Sequence, residues 1–176
     1  MSEQEKYLPP EARQEVWDKL TLEVEQIADG LNHPVDKGIK DTIIAFKAYE
    51  IPTSGSCEGH TEENHGLPYP WVDIEVDEPK DWEEDEAKQK LWRNKNLLEQ
   101  QKVINLLQEF YQDRNSPMEA RLVFENFGIY GRFRIRSMGA DVMDLLTEEE
   151  LKAKSLLFQE EMKDFTEFLK NKFFTE

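Results

Sequence analysis

Apolar residues recur at steps of three and four in four stretches of this chain, and at steps of two in three short ones. Val16, Leu20, Val24, Ile27 and Leu31 form one stripe after Pro9-Pro10. This predicts a helix over 11–31 that starts where a missing N–H is tolerated. Gly30, Asn32 and the His33-Pro34 pair supply its stop. Val35, Ile39, Ile43 and Phe46 predict a second helix over 35–49, and Pro52 turns Ile51 extended.

The period then shortens. "TSGSC", 53–57, is a weak strand, rich in Ser and Gly. "WVDIEV", 71–76, is a strong one, with Val72, Ile74 and Val76 alternating against Trp71, Asp73 and Glu75. The charged segment 77–90 connects into a helix that continues through 91–113. Its core positions are read as Leu91, Leu98, Val103, Leu107 and Phe110, and Asn115-Ser116-Pro117 ends it. Residues 119–139 predict a hairpin, with strands over 120–126 and 130–137 and a turn near Asn126-Phe127-Gly128. Thr147 and Glu150 form a capping box before a last helix, whose stripe is Leu151, Phe158, Met162, Phe165, Leu169 and Phe173.

The order is two helices, two strands, a helix, a hairpin and a long C-terminal helix. No internal repeat or linker interrupts it, so residues 1–176 are expected to form a single α+β domain. A small, mostly antiparallel sheet of about four strands would be covered by helices. The periodicity leaves the strand order open.

Charge narrows the classes of partner. Among 176 residues, 38 Asp and Glu stand against 22 Lys and Arg, a net charge of −16. Such a surface repels phosphate backbones and anionic bilayers, so neither nucleic acid nor a membrane is the expected partner. No run approaches the roughly 18 apolar residues of a membrane span, and the polar N-terminus does not read as a signal peptide. One cysteine allows no internal disulfide. A cytoplasmic protein is the expectation. Phe173 and Phe174, left over at the end of the last stripe, could contribute to a homodimer.

The candidate chemistry gathers in "TSGSCEGHTEENHGLPYP", 53–70, which holds the only cysteine and two of three histidines. Cys57, His60 and His65 give a C-x2-H-x4-H spacing that zinc accepts, with Glu58, Glu62, Asp73 or water as fourth ligand. Zinc sites usually draw ligand pairs from two separated places, whereas these three share one loop. Alternatively, His60 could accept the Cys57 proton for nucleophilic catalysis, which requires a turn at Gly59. In a third reading Thr53, Ser54, Ser56 and the loop amides bind a polar or anionic small molecule. Against all three, free cysteine is often a small core residue, and Gly/Ser segments often only turn. His33 is read as a residue near a helix end.

Arg132, Arg134 and Arg136 share one face of their strand. They either pair with Asp73, Glu75 and Asp77 on a neighbouring strand or form an anion-binding surface, Arg136 being the best candidate for the latter.

"TSGSCEGH", then "PYPWVDIEV", then "RLVFENFGIYGRFRIRS" resembles, in motif order, the wybutosine-synthesis methyltransferase family acting on tRNA. "SCEGH" is also similar to a signature of small uncharacterised bacterial and phage proteins. Glu58 and His60 stand where the family's pattern has Ser and Arg. The resemblance implies an α+β fold whose Ser/Cys stretch, Trp71 and arginine strand converge on a pocket for S-adenosylmethionine and a nucleoside. The expected function is small-molecule binding at loop 53–65, with Ser54, Ser56, Glu58, Trp71, Asp73, Arg134 and Arg136 around the ligand. Cys57 and His60 would carry any chemistry. The alternative is a protein–protein interaction module using the acidic surface and C-terminal helix.

Overall fold

The computed structural model describes residues 9–28, 32–62, 66–128 and 130–175. Helix α1 runs Pro10–Glu25, α2 Lys40–Ala48, α3 Glu86–Phe110 and α4 Glu148–Thr175. Strands β1 (Thr53–Cys57), β2 (Trp71–Ile74), β3 (Leu122–Phe127) and β4 (Arg132–Ser137) form one antiparallel sheet in the order β1-β2-β4-β3. The α+β class is as the periodicity predicts. Short 3-10 turns at Met118–Ala120 and Met138–Leu145 were not foreseen.

Alternation sorts each strand onto two faces. Val72, Ile74, Leu122, Phe133 and Ile135 point into the main core, where they meet Ile43 and Phe46 of α2, Val103 and Phe110 of α3, and Phe165 and Leu169 of α4. Helix α1 closes this layer through Trp17 and Val24. The opposite face carries Trp71, Asp73, Arg134 and Arg136. Each of these is thereby held outside the core by the register that buries its neighbours.

Local chemistry sets most boundaries. Pro10 opens α1, and Asp85 caps α3 by accepting from the Ala87 and Lys88 amides. The predicted capping box is formed, Thr147 N donating to Glu150 Oε2 at 2.9 Å and Glu150 N to Thr147 Oγ1 at 3.4 Å. Two helices are shorter than predicted. α1 ends at Glu25, and its proposed stop at Gly30 lies outside the described residues. α2 begins at Lys40, because Asp36 and Gly38 turn instead to meet the loop after β1.

The buried stripe of α3 also departs from the prediction. Leu91 and Leu98 are exposed, while Trp92, Asn96, Val103 and Leu106 face inward. Asn96 hides this stripe from a hydropathy reading. It is fully buried, accepts from Val76 N at 2.9 Å and donates to the Tyr130 carbonyl at 2.9 Å, joining α3 to the end of the sheet where β2 finishes and β4 begins. Phe173 and Phe174 are not left over either. Their rings pack 5.8 and 5.5 Å from that of Trp17, within the same chain.

Candidate functional site

Cys57 ends β1, pairs with Trp71, and is buried as a free thiol. The chain then turns at Gly59, whose φ of +90° is open to glycine, and a Cβ there would sit 2.8 Å from the Tyr69 carbonyl carbon. That turn brings His60 back beside Cys57, as pairing of the two requires. His60 N donates to the Leu67 carbonyl at 2.9 Å, which closes the loop.

The new member of the site is Asp36, from the segment between α1 and α2. Its Oδ2 lies 3.2 Å from His60 Nε2 and accepts from Glu58 N at 3.1 Å. Donor atoms of Asp36, Cys57 and His60 all lie within 4.8 Å of one another. Two braces hold the turn in place. The Glu58 carboxylate accepts from Gly38 N, and Gln159 Nε2 of α4 donates to the Glu58 and Gly59 carbonyls at 3.2 and 3.0 Å. Glu58 thus braces the 36–38 turn.

These groups sit at one end of a cavity of about 490 Å³ between β1 and the segment before α2. It is lined by His33, Pro34, Val35 and Asp36 on one side and by Ser54, Gly55, Ser56 and Cys57 on the other, with His60 and Trp71. Ser54, Ser56 and Trp71 thus line one cavity. His33, read as a helix-end residue, joins them. His65 lies outside the described residues.

Electrostatics separates the chemical readings. Burial pushes the Cys57 thiol up, and the Asp36 and Glu58 carboxylates add to this against the Gly59 and Leu67 amides. A nucleophilic cysteine is favoured by positive surroundings, and this one faces two carboxylates. A bound cation reverses that balance, since it deprotonates a coordinating thiol. Thiolate, imidazole and carboxylate are also the donor types that zinc takes.

The arginine ladder is paired throughout. Arg134 grips Asp73 through Nε and Nη2 at 2.6 and 2.9 Å, with its guanidinium carbon 3.9 Å above the Trp71 ring. Arg132 meets Glu75 at 2.7 Å. Arg136 does not meet Asp77. It bonds Glu125 at 2.7 Å, Asp141 at 2.6 Å and the Ser137 carbonyl at 3.2 Å. Asp73, Arg134 and Arg136 are thus engaged with one another or with neighbours, which is the pairing alternative of the two readings of the ladder, with Glu125 and Asp141 in place of Asp77 as the partners of Arg136.

A larger cavity, about 870 Å³, lies between α3 and α4, and several carboxylates, Glu161 and Asp164 among them, line it. The buried one, Glu161, is answered by Arg114, Tyr111 and Ser116 at 2.9 Å each, so its chemistry is structural.

Asp36 escaped the sequence reading because it lies 21 positions before Cys57. One signal was available. His33-x2-Asp36 and Cys57-x2-His60 are two donor pairs at separated places, the pattern that the loop alone lacked. Comparison of the chain with family models, curated proteins and solved structures finds no match.

Proposed function

We propose that the chain binds a thiophilic divalent cation, zinc by ligand type, through Asp36, Cys57 and His60, and presents it to a polar small molecule in the adjoining cavity. The observation that carries this reading is the convergence of the three donors within 4.8 Å from two separate segments. The Asp36–His60 separation of 3.2 Å supports it, being close to the edge, roughly 3.3 Å, of a tetrahedron with bonds of about 2.0 Å.

Three protein ligands leave one position for water or a ligand, the arrangement of a reactive rather than a purely structural zinc site. The carboxylate and thiolate would neutralise the ion's two charges. Together with the paired state of Arg134 and Arg136, this favours a neutral polar ligand over an anionic one. Ser54 and Ser56 supply hydroxyls along the cavity wall, and Trp71 supplies a ring face. A reducing compartment such as the cytoplasm would keep Cys57 available as a ligand.

Zinc content and affinity, measured by equilibrium dialysis and native mass spectrometry, test the proposal. One equivalent of zinc is expected, with affinity falling about 10- to 1000-fold in Cys57→Ala, His60→Ala and Asp36→Asn. Equal binding by all three variants, or none by the parent chain, would return the site to a metal-free role. The acidic surface as a protein-interaction face would then be the next hypothesis to test.

A further inference from the structure

Strand β1 is an edge strand, and an edge leaves alternate N–H and C=O groups unpaired along its outer side. Natural edges are commonly blunted by Lys, Pro, inward charge or a bulge. "TSGSC" has no Lys, Pro or charge and its side chains are small; its one irregularity is a register shift between Thr53 and Gly55, after which Gly55, Ser56 and Cys57 pair regularly with β2. The Trp71 ring accounts for Gly55, since a Cβ there would lie 3.3 Å from it. It does not account for the serines on either side, which keep the edge low enough for another backbone to approach.

The cavity follows that edge. Four consecutive residues of β1, Ser54 to Cys57, line it, and because they belong to both sheet faces, the space they share runs along the strand's side. Its other wall is formed by four consecutive residues, His33 to Asp36, together with Ile27 and Ala28. At about 3.3 Å per residue such a slot accepts roughly three residues of extended chain. Cys57 and Asp36, two of the proposed metal ligands, stand at the same end of the two walls.

We propose that this slot takes an extended peptide segment as an added strand on β1, with one peptide carbonyl directed at the metal. The inference rests on the metal reading above and names its ligand class. Three features select a peptide over other polar ligands. Main-chain groups of the edge match a peptide's own spacing. The charge-balanced site suits a neutral carbonyl. The paired sheet arginines offer no seat for a phosphate or free carboxylate.

The test has two stages on the full chain. Cobalt is first exchanged into the site. A thiolate-to-cobalt absorption band that Cys57→Ser abolishes establishes the metal, and its absence overturns both proposals. The zinc-loaded protein is then titrated calorimetrically with acetohydroxamate and with N-acetylated peptide hydroxamates of one, two and three residues. Affinity is expected to rise about tenfold or more over the series. N-methylation of at least one peptide amide should remove about tenfold, the worth of one well-made hydrogen bond. Affinity independent of length, or indifference to N-methylation at every position, would overturn the peptide proposal while leaving the metal site standing.

Discussion

His60 Nε2 and Asp36 Oδ2 lie 3.2 Å apart although 24 positions separate them in the chain. The same carboxylate oxygen holds Glu58 N at 3.1 Å. The contact therefore ties the segment before α2 to the turn after β1, and a cation bound here would reinforce a tertiary connection. Zinc at a hundredfold excess over its dissociation constant should raise the unfolding free energy by about 2.7 kcal/mol. Thermal melts with zinc and then with chelator should show that gain and its reversal, and Cys57→Ala should show neither. An equal gain in the variant would place the ion elsewhere.

Gly59 is the hinge of the site. Gly59→Ala forces a side chain onto a φ of +90° and within 2.9 Å of Pro70 N. A destabilisation of about 2–4 kcal/mol is expected in urea titration, with weakened zinc binding because His60 follows the turn. A loss under about 1 kcal/mol would mean that the Tyr69-Pro70 backbone yields.

Arg134 separates a structural sheet face from a binding one. Its fork on Asp73 and its stacking on Trp71 predict that Arg134→Ala loses about 2 kcal/mol of stability. Arg134→Lys should recover only part of this, since an ammonium cannot reproduce both bonds. Zinc affinity should change less than about twofold in either variant, because Arg134 does not reach the proposed ion. A larger change would bring the arginine face back into the site.

Glu161 supplies an acid-sensitive contact. Burial raises its carboxyl, but hydrogen bonds from Arg114, Tyr111 and Ser116 outweigh this, and its folded value lies below the usual carboxylate range. A depressed folded value contributes stability that is fully present above the unfolded pKa, near 4.3, and is lost as pH falls through the folded one. Urea midpoints should therefore show Glu161→Gln destabilised by about 1–3 kcal/mol at pH 7, with the gap to the parent narrowing below about pH 4. A gap unchanged down to pH 2 would assign the loss to packing alone.

Much of this architecture was legible in the chain itself. Periodicity marked four helices and three of the four strands, because burying one face of each such element imposes a repeat that local sequence must carry, whereas β1 was read from its composition. Thr147 and Glu150 marked the start of α4 for an equally local reason. Asn96 was missed because its polarity breaks the apolar stripe, and only its two partners, Val76 N and the Tyr130 carbonyl, make a buried amide favourable.

The cysteine–histidine loop was visible as a concentration of rare side chains, and Gly59 as the residue able to turn it. Arginine pairing was foreseen for Arg134 but not for Arg136, whose partners come from β3 and the turn after β4. Sequence alone marked where the four helices and four strands lie and put Cys57 and His60 in one short segment with Gly59 as its possible turn. Tertiary structure alone decided that β1 is an edge and that Asp36 and His33 reach its side. Those relationships depend on how distant elements pack, and no periodicity within either segment records them.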